Sequence, residues 1–178
     1  MRIAAAFLLI LLVSGTAQAE CLITDKAAPN SAPQFATYPA KAWSGHPATL
    51  VITGKSAKLF RTQLREQAPS GPDFAGHYKI AQWGCGAGCV DWAVIDSQTG
   101  AVTFTKAWEA YDRSQSLGEV LAFRRDSRLL IIEGGPSENP NDGNTGLTYL
   151  LWSGKSFKKL AFYPQAKACL QTDTSKIP

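Results

Sequence analysis

Short runs rich in apolar, β-branched and aromatic residues recur from residue 76 to residue 163, and polar turns separate them. Short apolar runs bounded by turn residues predict β-strands. Short strands at regular spacing favour a largely antiparallel β-meander. The seven predicted strands are Gly76–Trp83, Val90–Asp96, Val102–Lys106, Val120–Arg124, Leu129–Glu133, Leu147–Trp152 and Phe157–Tyr163.

The residues before these strands follow other patterns. Residues 26–48 are rich in Ala, Pro and Ser without a sustained period, which predicts an extended N-terminal arm anchored by Phe35, Tyr38 and Trp43. Thr49–Thr53 is a further short strand candidate.

One amphipathic helix is predicted over Ser56–Gln67, ended by the sequence Pro-Ser-Gly-Pro that follows. A single helix packed on an antiparallel sheet defines an α+β domain that is mostly β. The apolar positions of the helix recur at helical spacing and are Leu59, Phe60, Leu64 and Ala68.

The N-terminus has the order of a secretory signal peptide. Arg2 precedes an apolar run over Ile3–Val13, and an A-x-A site ends at Ala19, so cleavage is expected before Glu20. The run of 11 residues is too short to span a membrane, which needs about 20. A lipoprotein leader is disfavoured, because a small residue does not precede Cys21. We therefore expect a periplasmic or secreted protein.

The mature chain is expected to form one secreted domain over residues 20–178, with the arm at 20–48 and the core at 49–178. It carries 17 basic and 14 acidic residues, a net charge of +3. The basic residues are scattered, and only Arg124-Arg125 and Lys158-Lys159 are adjacent pairs. A nucleic-acid-binding surface needs a clustered basic stripe, so this partner class is disfavoured.

The segment around the first two strands predicts a β-hairpin with a defined register. Gly-Ala-Gly separates Cys85 from Cys89, and glycines allow the positive φ of a tight turn. If the two cysteines face each other, Trp83 faces Asp91. Period-two alternation then assigns to the core Tyr78, Ile80, Trp92 and Val94.

The opposite face of this hairpin is the candidate partner-binding surface. It combines apolar, aromatic and charged side chains, and Trp83 is the expected anchor because tryptophan is enriched at binding hot spots. Its residues are His77, Lys79, Ala81, Trp83, Asp91, Ala93 and Ile95, together with the cysteine pair.

Four interpretations of Cys85 and Cys89 remain open at this point. An oxidising compartment favours a structural disulfide. The others are a redox-active pair, a zinc site that would need His46 or His77, and a catalytic cysteine with His77 as base. The C-x-x-x-C spacing differs from the C-x-x-C of redox pairs.

The remaining cysteines, Cys21 and Cys169, lie near the two ends of the mature chain. Four cysteines allow three connectivities, and we expect Cys85–Cys89 with Cys21–Cys169. A bridge between the ends closes a long loop and is worth about 4–5 kcal/mol in chain-entropy models.

A long loop, Gly134–Gly146, is the second candidate contact. Its 13 residues exceed the usual hairpin length and include Glu138 and Asp142. The alternative is an ordinary solvent-exposed loop. Because the EF-hand spacing does not fit, neither a metal nor another cofactor is expected.

The motif GHY…WGCG…C…D…TG, followed by FRRDSRLLII and TYLLWSGKSFKKL, covers Phe74 to Leu160. Over this stretch the chain resembles a group of small secreted bacterial proteins without an established activity. The resemblance implies a periplasmic location and the hairpin, and it supplies no catalytic residues.

Together these features predict a non-catalytic periplasmic binding protein, such as an inhibitor or immunity-type protein, whose partner is another protein or an envelope component. Membrane insertion is not expected. The alternative from another class is a small envelope enzyme that uses the Cys85/Cys89 turn for thiol or metal chemistry. A further alternative is an accessory subunit of an envelope complex.

Overall fold

The structure, a computed structural model, describes residues 31–86, 89–105, 109–111, 120–135 and 146–164. Two short helices and eight antiparallel strands are found among these residues, which confirms a mostly β member of the α+β class. The strands are β1 Tyr78–Gly86, β2 Cys89–Asp96, β3 Val102–Phe104, β4 Glu109–Tyr111, β5 Leu121–Phe123, β6 Leu129–Gly135, β7 Gly146–Trp152 and β8 Phe157–Pro164.

The strands form two antiparallel halves joined by one short strand. The first half is β1–β2–β3, and the second is β5–β6–β7–β8, in which each strand pairs with the next along the chain. The short strand β4, which the sequence pattern did not predict, pairs with the start of β2 on one side and the end of β6 on the other. Within each half, strands that follow one another in the chain are paired, as predicted for a meander. Between the halves, β4 interrupts this order.

The register predicted for the β1–β2 hairpin is confirmed over most of its length. Tyr78 pairs with Asp96 and Trp83 with Asp91, as expected if the two cysteines face each other. The cysteines themselves do not pair in this way, because a bulge after Gly84 brings Gly86 rather than Cys85 opposite Cys89.

The main core lies between the inner faces of the two halves. Ile80, Trp92 and Val94 are buried there and Tyr78 packs against them, as the alternation predicted. Aromatic contacts join the halves, since Trp152 on β7 contacts the Tyr78 ring at a centroid distance of 5.3 Å. The other buried residues of this cluster are Phe74, Ala75, Ala110, Val120, Leu121, Leu130, Ile132, Leu150 and Trp152.

The predicted single helix is wrong in detail, because the chain forms two helices, α1 Gly54–Leu59 and α2 Arg61–Gln67. Phe60 interrupts the helix with a φ of −99° and a ψ of 22°. Leu64 is fully buried on the outer face of the first half, whereas Leu59, expected in the core, is 68% exposed. The break frees Phe60 to turn its ring toward β1.

Helix α2 also caps the free edge of β1 with a side chain. The amide of Gln67 donates to the carbonyl of Gln82 at 2.9 Å and accepts from its N–H at 3.0 Å. Next to it, the Ile80 N–H donates to the Asp73 carboxylate at 2.9 Å. These bonds occupy backbone groups that an unprotected edge strand would offer to another chain.

The described part of the N-terminal arm, residues 31–48, lies over the domain as predicted. Phe35 and Tyr38 pack against a buried cluster on the outer face of β6 and β7. Ser127 holds this part of the arm, because its hydroxyl lies 2.8 Å from the Phe35 carbonyl and 3.0 Å from the Tyr38 carbonyl. The Arg125 guanidinium donates to the carbonyl of Trp43.

The strand predicted at Thr49–Thr53 is not formed. This segment is irregular and continues the arm, attached by the Val51 N–H to the Gly100 carbonyl at 2.8 Å. Within the described ranges, no helix has the length and apolar character needed to cross a membrane.

Candidate functional site

The most distinctive feature of the sheet is a gap along β2. β3 pairs with residues 93–95 of this strand, and β4 pairs with residues 89 and 90. Neither strand therefore covers Asp91 and Trp92. A pocket of about 140 Å³ lies there, which we name the hairpin pocket. Its lining residues are Ser56, Phe60, Trp83, Asp91, Trp92, Phe104 and Thr105.

One wall of the hairpin pocket is aromatic. Phe60 lies with its ring centroid 4.7 Å from that of Trp83, and Phe104 contacts Trp83 edge-to-face at 6.2 Å. The helix break places Phe60 here, while the end of β3 supplies Phe104. All three side chains are half-buried. This aromatic group therefore borders solvent on one side and, on the other, the buried cluster that α1 and α2 form with the outer face of β1 and β2.

The polar atoms of the wall are incompletely paired. The indole Nε1 of Trp83, the Nε1 of Trp92 and the hydroxyl of Thr105 are buried and have no hydrogen-bond partner in the described part of the chain. Buried polar groups are normally paired, and one left without a partner costs about 1–3 kcal/mol. The residues that carry these atoms line the hairpin pocket, but the atoms themselves are shielded from solvent.

Asp91 adds a carboxylate to this group. It is half-buried, and it makes no ion pair or side-chain hydrogen bond with the described residues. An ionised carboxylate only accepts hydrogen bonds, whereas an indole N–H only donates them. Because the indole nitrogens are shielded and Asp91 is partly exposed, the pocket offers mainly a hydrogen-bond acceptor to whatever enters it.

The structure brings together only part of the predicted partner surface. Trp83 and Asp91 share the hairpin pocket, but His77 and Lys79 lie toward the other end of the hairpin. Lys79 lies four positions before Trp83 along β1, which corresponds to about 13 Å. Lys79 is ion-paired with Asp73.

His77 also has contacts of its own. Its ring packs on Tyr78 at 4.1 Å, and its Nε2 lies 3.7 Å from the Asp96 carboxylate. Burial, and then the negative charge of Asp96, raise the pKa of Tyr78, so its phenol stays neutral at physiological pH. This polar cluster is therefore separate from the hairpin pocket.

The middle of the predicted partner face is not open, which corrects the sequence interpretation. Ala81, Ala93 and Ile95 are at most 2% exposed, because α1 and α2 pack over them with Ala57 and Leu64. The sequence showed an amphipathic helix without showing which face of the hairpin it covers. The two ends of this face remain partly exposed, with Trp83 and Asp91 at one end and His77 at the other.

Several pocket residues were missed by sequence reasoning. Trp92 was assigned to the core, which is correct, but its edge also reaches the pocket. Ser56, Phe60, Phe104 and Thr105 carried no signal of their own, because the pocket depends on where β3 ends and where the helix breaks. Glu138 and Asp142 lie outside the described residues.

The cysteines at the hairpin tip form a disulfide. Cys85 and Cys89 are bonded with their Cα atoms 5.1 Å apart, within the usual range. Among the described residues, no group of three or more His, Cys, Asp or Glu side chains could hold a metal ion. Cys21 and Cys169 lie outside the described residues.

Peptide mapping without reduction tests the full connectivity. We expect one linkage between Cys85 and Cys89 and a second between Cys21 and Cys169, and titration of the unfolded, unreduced protein should find no free thiol. A peptide joining Cys21 to either hairpin cysteine would contradict this connectivity.

Comparison with protein-family models, curated proteins and solved structures gave no match to this chain.

Proposed function

We propose that this protein is a non-catalytic binding protein of the bacterial periplasm, and that it contacts another protein or an envelope component through the hairpin pocket. The observation that carries the proposal is the Asp91 carboxylate, which no described residue pairs, beside a half-buried aromatic group on the same small pocket. A bound group that donates a hydrogen bond to Asp91 and packs on these rings gains energy from both contacts. An inhibitor or immunity-type role is the specific form proposed.

The position of His77 favours binding over cysteine chemistry. A cysteine nucleophile needs a base within hydrogen-bond reach. The His77 ring packs on Tyr78 near the start of β1, whereas the cysteines lie at the tip and are bonded to each other. The small-enzyme alternative and the accessory-subunit alternative remain proposals, the first of which requires reduction of this disulfide.

A capture experiment with matched carboxylate variants tests the proposal. The mature protein is immobilised, exposed to periplasmic and envelope extracts, and any captured partner is purified and its affinity measured directly. We expect Asp91→Asn to weaken that affinity about tenfold or more, because a hydrogen bond to a charged group contributes about 1.5–3 kcal/mol. The control is Asp126→Asn, a change in the exposed turn between β5 and β6.

If the partner binds Asp91→Asn and Asp126→Asn with equal affinity, the hairpin pocket is not part of the contact surface. A reactive thiol at Cys85 or Cys89 in the isolated, folded protein would instead favour the enzyme alternative.

A further inference from the structure

The fold gathers basic residues that are far apart in the sequence at one end of the second half of the sheet. Leu129 at the start of β6 pairs with Leu151 near the end of β7, so the turn before β6 and the turn after β7 lie at the same end. The segments 124–128 and 153–158 form these turns and the start of β8. Their basic residues are all exposed, and we name them the basic rim: Arg124, Arg125, Arg128, Lys155 and Lys158.

Two members of the basic rim lie on the same face of the sheet. Lys158 pairs with Leu151, which pairs with Leu129 of the outer-face cluster, and residues paired across strands share a face. Arg124 lies on this face as well, since it lines a pocket there with Tyr149 of the same cluster. Three strand spacings, roughly 14 Å, separate the two basic residues.

The basic rim concentrates the positive charge of the protein. Its two segments hold five basic residues and one acidic residue, Asp126, a net charge of +4. The rest of the expected mature chain holds twelve basic and thirteen acidic residues, a net charge of −1. None of the five basic side chains forms an ion pair in the described part of the chain. An exposed positive surface of this kind attracts an acidic partner.

Arg124 is the best-defined contact point of the basic rim. Its guanidinium carbon lies 4.7 Å from the centroid of the Phe35 ring in the arm. A guanidinium held flat on a ring keeps its N–H edge for two parallel hydrogen bonds to one carboxylate. The adjoining pocket of about 150 Å³ has apolar walls from Pro33, Phe35 and Ile131, which suit the methylene groups of an acidic side chain.

The basic rim fits an acidic protein better than a membrane or a free anion. Stable attachment to a membrane surface combines a basic patch with an apolar anchor that enters the lipid. Within the described ranges, the exposed large apolar residues are Val51 and Leu59, and neither belongs to the rim. Inorganic phosphate has no methylene groups to pack on the apolar wall beside Arg124.

We infer that the basic rim docks an acidic protein surface, and that one glutamate or aspartate of this partner pairs with Arg124. The remaining rim residues steer the partner toward that contact. This surface goes beyond the proposed function, because the hairpin pocket lies on the first half of the sheet and presents a carboxylate of its own.

The test is a titration of the mature protein with hexaglutamate blocked at both ends. The probe signals are the Nε–H groups of the six arginines that follow residue 19, assigned by single glutamine variants. We expect the signals of Arg124, Arg125 and Arg128 to shift, while those of Arg61 and Arg65 on α2 stay in place. Binding should weaken at least about fivefold from about 0.01 M to about 0.15 M salt, since the Debye length falls from about 30 Å to about 8 Å.

The two helices provide a matched control for charge alone. They carry Lys55, Lys58, Arg61 and Arg65, and in the described part of the chain none of these cations lies over an aromatic ring. Arg61→Gln/Arg65→Gln should therefore weaken peptide binding less than about twofold.

Two rim variants remove the proposed contact in different ways, and a thermal melt checks that each is folded. Arg128→Gln/Lys158→Gln, which removes the same charge as the helix variant and leaves the Phe35 contact intact, should weaken peptide binding about fivefold or more. Arg124→Lys keeps the charge but loses the planar fork, and should weaken it about threefold.

Equal effects of the rim and helix double variants, or equal shifts of the Arg61 and Arg65 signals, would mean general charge attraction and would overturn the inference. Stronger binding of inorganic phosphate, or of vesicles with about a third phosphatidylglycerol, at the same concentration of anionic groups would overturn the acidic-protein assignment. Asp91→Asn should leave peptide binding unchanged, so a failure at the rim does not count against the proposed function, which is tested through Asp91.

Discussion

Replacing Trp83 with alanine is expected to lower the free energy of unfolding by about 2–4 kcal/mol. Truncation of a fully buried aromatic residue costs about 3–5 kcal/mol, and Trp83 is half-buried. Its ring packs against both Phe60 and Phe104, which also contact each other, so the change removes two of the three contacts within this aromatic group. The sequence placed Trp83 on the candidate partner-binding surface as its anchor, whereas this packing also makes the side chain part of the fold.

Equilibrium unfolding in urea measures this effect. Trp83→Phe is the conservative comparison, since it keeps an aromatic ring and loses only the indole N–H and part of the area. Leu59→Ala is the matched control for an exposed apolar residue, expected within about 0.5 kcal/mol of the wild type. If Trp83→Ala costs no more than Leu59→Ala, the side chain is a free surface residue and the described aromatic wall is wrong.

Replacing Trp152 with alanine is expected to have the larger effect on stability, about 3–5 kcal/mol. The side chain is 1% exposed, and its ring lies 4.6 Å from Phe157 on β8 and 5.3 Å from Tyr78 on β1. The residue therefore connects the two halves of the sheet, which in the described part of the chain pair through β4 alone. For a domain of this size we expect the melting temperature to fall by roughly 10 °C.

A thermal melt of Trp152→Ala beside Trp152→Phe checks this account. The phenylalanine variant keeps part of the ring contact with Phe157 and should lose less than half as much stability. A loss for the alanine variant no larger than for the phenylalanine variant would show that the two halves do not depend on this residue.

The β1–β2 hairpin could be predicted almost residue by residue, because its determinants are local. A glycine turn between Cys85 and Cys89 sets the register, and period-two alternation sets the faces. The failure at the tip has a local cause as well, since the bulge after Gly84 shifts the pairing by one residue.

The features that sequence reasoning missed depend on contacts between distant residues. Strand β4 is three residues long and is formed by pairing with both β2 and β6. The helix breaks at Phe60, although helical spacing continues through it, and its ring packs against Trp83. Periodicity reports which face of an element is apolar, but it does not report which other element covers that face.

The difference between local determinants and contacts of distant residues also explains how much of the candidate site could be predicted. Trp83 and Asp91 were paired correctly because they face each other across one hairpin. The pocket itself also needs the end of β3 at Phe104 and the start of β4, and neither is encoded in a short stretch of sequence. His77 and Lys79 share the face of Trp83 in the alternation, yet strand length separates them from the pocket.

Partner binding at the hairpin pocket is tested most directly by the indole nitrogen–proton spectrum of the mature protein in complex with a captured and purified partner. Contact at the hairpin pocket predicts that the Trp83 and Trp92 signals shift or broaden, while those of Trp43 in the arm and Trp152 in the core stay in place. Unchanged Trp83 and Trp92 signals in a saturated complex, with or without a shift at Trp43, would contradict it.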